Sequence, residues 1–240
     1  MLIAVWASTS GTIFEAAIVP SPVTVIAKLL EMIENNLIFV HLGASFRRIA
    51  LGYALGCTIG VIVGIAMGAS KLAEDLLDPP LEFCRNIPPV ALIPLVISIF
   101  GIGEISKYFI ISYATSIAVL FNTAAGVTST PQIRVRAALC LGAQKKDVFL
   151  RIVLPSAWPY ILTGLRLALG FAFMGVVAAE MVAAQSGIGF LIMQSTNIIE
   201  PDDMFIGFLM LGSFGLITDQ LFRATLNRLM RRYMITMTHE

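Results

Sequence analysis

Residues 49–70 read IALGYALGCTIGVIVGIAMGAS, a stretch without one charged side chain. A helix of about 20 mostly apolar residues crosses the hydrocarbon layer of a bilayer, so the stretch predicts a membrane span. Within it Gly52, Gly56, Gly60, Gly64 and Gly68 recur at every fourth position. Four residues is close to one helical turn, so the glycines draw a nearly straight stripe along one face. Between helices in lipid there is little hydrophobic force, and association depends on close backbone approach and van der Waals packing. The stripe therefore predicts a second helix seated tightly on this one, without saying which.

The rest of the chain repeats the pattern. Of its 240 residues, 58% are hydrophobic and only 13% charged, and the mean hydropathy is +0.88. Soluble domains run nearer a quarter charged; so few charges cannot cover a water-facing surface around so apolar a core. This excludes an ordinary soluble enzyme and a disordered chain. A net charge of +1 lacks the basic footprint that a nucleic-acid partner requires. Lys and Arg are absent between Arg48 and Lys71, Arg85 and Lys107, Lys107 and Arg134, and Arg166 and Arg223. The gaps hold the apolar runs 49–70, 86–101, 108–127, 167–184 and 204–221, so the expected fold is all-α, a polytopic bundle of five to six transmembrane helices. Residues 1–19 would supply the sixth span; no basic residue precedes their apolar stretch, which sets them apart from a signal peptide. The chain thus divides into residues 1–44, a possible first span plus an amphipathic helix, and a transmembrane core, 45–240, with a loop at 128–159.

The loop carries Arg134, Arg136, Lys145, Lys146 and Arg151, and the C-terminal tail carries Arg223, Arg228, Arg231 and Arg232. The connection between the last two spans carries Glu200, Asp202 and Asp203 and no base. The positive-inside rule places the loop and the C-terminus in the cytoplasm and the acidic connection outside. Arg47 and Arg48 then fall at the outer end of their helix, where snorkelling or an interfacial helix would accommodate them. Ser21-Pro22 reads as a helix cap and first turn. Val25, Ile26, Leu29, Leu30 and Ile33, set against Lys28, Glu31 and Glu34, make the helix that follows amphipathic and suited to the membrane surface.

Pro88, Pro89 and Pro94 interrupt the second apolar run. Proline breaks inside membranes are buried in protein or line a cavity, so these are pathway candidates. Glu180 is another, since an intramembrane carboxylate is a pathway candidate by default; a cap at headgroup depth is the equal alternative. Asp219 and Arg223, four apart, suit a local ion pair. Cys57, Cys84 and Cys140 have no metal or disulfide spacing, His41 and His239 stand alone, and no nucleophile motif or phosphate loop occurs. The sequence thus predicts no catalytic residue, metal site or cofactor on this chain.

The informative segment is Arg136-Ala137-Ala138-Leu-Cys-Leu141-Gly142-Ala143, continuing to Ile152-Val-Leu154-Pro155. Two short helical patterns flank Gly142, which suits a turn between them. Ala137, Ala138, Leu141 and Ala143 offer a small apolar face and Lys145 and Lys146 a basic rim, a protrusion built to dock on a soluble partner. The string resembles the loop signature of ABC importer permeases: Glu-Ala-Ala, a glycine soon after, and a closing Ile-x-Leu-Pro. Ser21-Pro22, Ile87-Pro-Pro89, Phe100-Gly-Ile-Gly-Glu104, Pro159-Tyr-Ile-Leu-Thr-Gly-Leu-Arg166 and Ser186-Gly-Ile-Gly-Phe190 are similar, in order and spacing, to the nitrate/sulfonate/taurine branch. Arg136 departs from the pattern, standing where the signature has its glutamate.

The resemblance implies a type I importer permease of the cell inner membrane. Its partners would be a second permease copy (a homodimer), two ATP-binding subunits that carry ATP and Mg, and an external substrate-binding protein. It also implies ATPase coupling through Arg136, Ala137, Ala138, Leu141, Gly142, Ala143, Ile152, Leu154 and Pro155, and a small, anionic solute. The alternative is a membrane interaction module or passive channel that binds another protein through the loop and shows no ATP-dependent flux.

Overall fold

The computed structural model describes Trp6, Ser10 and residues 18–234, with side chains through residue 225. The expected sixth span at residues 1–19 lies almost wholly outside the described residues. Every described element is helical: α1 Pro22–Glu34, α2 Leu37–Ala69, α3 Lys71–Arg85, α4 Pro89–Phe100, α5 Glu104–Thr128, α6 Gln132–Cys140, α7 Lys145–Val148, a π-helical turn Phe149–Val153, α8 Leu154–Ala183, α9 Ile188–Ile198 and α10 Pro201–Met234. Four helices are long and apolar enough to cross a membrane, and the bent pair α3–α4 makes a fifth span if counted as one.

The apolar run at 86–101 is not the straight helix that hydropathy suggests. α4 covers only Pro89–Phe100, and α3 meets it at an angle of 98°. Asn86, Ile87 and Pro88 separate the two helices. Proline restricts the residue before it to extended backbone, so Pro88-Pro89 ends one helix and opens the next. The Tyr113 hydroxyl of α5 donates to the Cys84 carbonyl at the end of α3, which also accepts from the Ile87 N–H at 2.9 Å, so the break is tied to α5.

α5 lies at the centre, with the glycine stripe of α2 against one side. At Gly52 an added Cβ would fall 2.6 Å from Ile111, at Gly60 2.7 Å from the Ser116 carbonyl, and at Gly68 2.5 Å from Val127; Gly56 faces Thr115 and Ser112, and Gly64 faces Leu120 and Thr123. The partner that the sequence leaves open is therefore α5. On its other side α8 closes in through Gly164 against Asn122, and Gly126 of α5 against Tyr160. Ser112 donates to the Gly52 carbonyl at 3.0 Å and Tyr53 to the Leu165 carbonyl at 2.8 Å, tying all three helices together.

Because no side chain fits between α2 and α5, Gly56→Leu is expected to separate them, with a loss in the upper range of overpacking, about 3 kcal/mol or more. Gly212, which faces open space on α10, serves as control: Gly212→Ala should keep or slightly raise stability. Thermal unfolding of the detergent-solubilised protein measures both.

α1 begins as its sequence suggests, the Thr24 N–H donating to Ser21 Oγ at 3.2 Å. Its apolar residues divide. Val25 and Met32 are buried and Leu29 packs against the core formed with Ile188, Leu191, Ile206 and Met210 of α9 and α10, while Ile26, Leu30 and Ile33 stay exposed. The helix thus packs on the α9–α10 pair and keeps an apolar outer edge of the kind a membrane surface accepts.

Candidate functional site: a charge knot, two cavities and an exposed hairpin

Arg48 does not snorkel. It is 2% exposed and Glu180 is fully buried, with Arg48 Nη1 donating to Glu180 Oε1 at 2.8 Å. The same guanidinium grips Glu104 of α5 with two bonds, Nη2 to Oε1 at 2.7 Å and Nε to Oε2 at 2.8 Å. Lys107 adds a contact to Glu104 at 3.2 Å. Ser45 Oγ donates to Glu180 at 2.8 Å and accepts from the Ile188 N–H at 2.9 Å. The Gly189 N–H donates to Glu180 Oε2 at 2.9 Å, and the Gly187 N–H to His41 Nδ1 at 3.1 Å. Arg47 also approaches Glu104, at 3.6 Å; two carboxylates, three cations and three backbone amides thus join α2, α5, α8, the turn at residues 184–187 and the start of α9. Gly187 has φ +125° and the Glu180 carboxyl where a side chain would stand. Glu180 lines neither cavity described below; its carboxylate oxygens are taken up by Arg48, Ser45 and the Gly189 amide.

Two cavities open beside α8. The larger, about 1090 Å³, lies between α8 and α10 and is walled mostly by apolar residues such as Phe173, Met174 and Met193, with Arg166 and Asp219 among its polar lining. Asp219 binds Arg223 at 2.7 Å, the local pair expected from their spacing, and also Arg166 at 3.3 Å. The smaller, about 300 Å³, sits at the α3–α4 break and includes Pro89 and Arg85 in its lining. Pro88 caps α4 and Pro94 lies inside it on an exposed face.

The loop forms a hairpin. α6 buries no residue, Gly142 turns the chain at φ +85°, and the Ala143 N–H closes on the Ala138 carbonyl at 3.1 Å, a glycine-centred helix stop. Leu141 is 89% exposed and Ile133 74%. Arg136 and Ala137 are exposed, Ala138 and Ala143 half-buried. Behind the turn Val148 is buried. Ile152 and Leu154 are half-buried and Pro155 is exposed as the π-turn passes into α8. Val127, Ala157 and Ile161, with Val153, Leu154 and Trp158 packed on them, root the hairpin in the bundle. Leu141 thus stands exposed at the tip of a hairpin whose base is packed into the bundle.

Residues 56–235 match the family described as binding-protein-dependent transport system inner membrane component. The taurine transport system permease protein of Escherichia coli (strain K12) is 36% identical over 93% of this chain and 83% of its own length. The putative aliphatic sulfonates transport permease protein of Bacillus subtilis (strain 168) is 34% identical over 96% and 84%. The nitrate import permease protein of Leptolyngbya laminosa is 32% identical over 77% and 66%. In fold, the chain matches one from a crystal structure of an amino acid ABC transporter with histidines, with TM-score 0.67 and 16% identity over 85% of this chain and 97% of that one. The bundle accordingly has the type I importer fold. The helices, the break and the rooted hairpin thus come together in a chain that belongs to the family of binding-protein-dependent transport system inner membrane components, the permease subunits of ABC importers.

Proposed function

We propose that this permease moves a small solute bearing an oxyanion group, such as a sulfonate or nitrate, and that the hairpin from Arg136 to Pro155 takes the stroke from a separate ATPase. The observation that carries the coupling reading is the 89% exposure of Leu141 at the tip of a hairpin rooted in α5 and α8. Ala137, Leu141 and Gly142 form the contact surface and Ala138 and Ala143 support it. Ile152, Leu154 and Pro155 join it to α8, so displacement of the tip is passed to the span. Arg136 makes the leading edge basic and calls for an acidic counterpart on the ATPase.

In this reading two permease copies pair, two ATPase subunits bind ATP and Mg on the cytoplasmic face, and an external binding protein delivers the solute. The C-terminus is cytoplasmic. ATP binding closes the ATPase pair, the hairpins follow as rigid levers, and the spans rock between two packings; the difference in contacts between those packings is what ATP acts on. The solute class rests on the sulfonate, taurine and nitrate relatives.

Affinity purification of the tagged chain in mild detergent from its native cell tests the reading. The expected result is an ATP-hydrolysing subunit retained with the permease. A well-folded permease that retains none would contradict the coupling role.

A further inference from the structure

The small cavity at the α3–α4 break carries an inference that rests on the anionic-solute reading above. Its walls come from two helices besides the break: Tyr113 from the middle of α5 and Asn122 from its last third, and Leu167 and Phe171 from the middle of α8. Arg85 stands over the Phe121 ring, 4.8 Å from its centroid. Phe121 is seven residues from the end of α5 at Thr128, about 10 Å along the helix axis, so Arg85 reaches the flank of a candidate span. Its side chain is 50% exposed and, among the described residues, its ion pair is local, with Glu82 one turn earlier.

An arginine that far along a candidate span reaches water, by snorkelling at the helix end or along a path through the protein. Ionisable side chains within spans face the protein interior or a water-filled path, and irregular backbone within a membrane is tolerated in the same places. Both requirements meet at the 86–88 break. The chemistry there suits an oxyanion. Arg85 offers a planar fork of donors, and its guanidinium carbon lies over the Phe121 ring, a cation–π contact. Asn122 gives one amide hydrogen to the Ala118 carbonyl at 2.8 Å and keeps a second. Tyr113, bonded to the Cys84 carbonyl, fixes the break against α5 and so positions Arg85. The volume of about 300 Å³ admits a small solute. Arg166, the nearest other cation along α8, is already engaged by Asp219.

We propose that this cavity is a solute station within the membrane, where the guanidinium of Arg85 receives the oxyanion group of the transported molecule and Glu82 is the counter-ion it displaces. Asn122 supplies a second donor. Leu167 and Phe171 form the apolar wall.

The complex of permease, ATPase and binding protein, reconstituted in liposomes, tests this with radiolabelled taurine, ethanesulfonate and nitrate as probes. Arg85→Gln is expected to lower ATP-dependent uptake of the carried probe at least tenfold while the ATPase still co-purifies, and Arg85→Lys to retain part of it. Glu82→Gln separates binding from architecture. If Glu82 only competes for Arg85, uptake in this variant stays at or above the wild-type rate. If the two form a structural pair, Glu82→Gln fails as Arg85→Gln does, and the station is overturned. Uptake by Arg85→Gln at the wild-type rate overturns it as well. A wild-type complex that carries none of the three probes would instead overturn the anionic-solute reading, and this inference with it.

Discussion

Arg48→Met is expected to cost about 3–5 kcal/mol of stability, the range for removing one partner of a buried ion pair. The substitution would leave Glu180, fully buried, as a charge without its guanidinium, and would take two charge-assisted bonds from Glu104. Ser45 and the Gly189 amide still reach Glu180, but neither neutralises it. Taking a pair of charges out of water is costly, and well-packed apolar groups often replace such a pair at little loss. The double variant Arg48→Met/Glu180→Leu is therefore expected to recover much of the deficit, with Lys107 still holding Glu104. Thermal unfolding of the detergent-solubilised protein, with the fraction running as a single species on gel filtration, measures each corner of the cycle. Equal stability of Arg48→Met and wild type would remove the knot from the account. So would a double variant as unstable as the two single losses added together.

Gly142→Pro is expected to abolish transport while the protein remains folded in the membrane. Gly142 has φ +85° and nothing within 4 Å of an added Cβ, so space is not the constraint; backbone conformation is. Proline fixes φ near −65° and also removes the N–H that donates to the Leu139 carbonyl at 3.0 Å. The turn must then open, and the tip at Leu141 swings away from its present place. α6 buries no residue, so the loss falls on the hairpin and spares the bundle core. Gly142→Ala keeps the N–H and carries only the strain of a left-handed residue, about 1–2 kcal/mol, so partial transport is expected. Uptake at the wild-type rate in Gly142→Pro would contradict coupling through this turn.

How much of this could be read from sequence depends on whether the signal is local. The glycine stripe is local: its period fixes one face of one helix, and Gly52 to Gly68 do face a neighbour along their whole length. That the neighbour is α5 follows only from three dimensions. The hairpin is also local, with helices on either side of Gly142 where their patterns stop. The knot is not. Arg48 and Glu180 are 132 positions apart and Arg48 and Glu104 56, and each alone looks like a charge at a membrane boundary. A signal did exist: Arg48 lies in the first half of α2, Glu104 opens α5 and Glu180 lies in the last turn of α8, positions that antiparallel neighbours bring to one level, with opposite signs. Reading those positions as one layer would have paired them.

The α3–α4 break was half legible. Pro88-Pro89 announces an interruption, but hydropathy saw only the apolar run that became α4 and passed over α3, whose charged residues disguise it as a connection. Arg85 was hidden in the same way, as a boundary residue between runs rather than a cation within the bundle. Its place against α5 emerges only from the contact with Phe121.

Cys140 offers the most direct measurement, because it is a native exposed thiol beside the tip at Leu141, whereas Cys57 is buried and Cys84 lies at the break. In a Cys84→Ser background, a membrane-impermeant maleimide would be applied to inside-out and right-side-out vesicles, with and without the bound ATPase. The account predicts labelling of Cys140 from the cytoplasmic face alone, and protection when the ATPase is docked. Labelling from the external face, or labelling that the docked ATPase leaves unchanged, would contradict it.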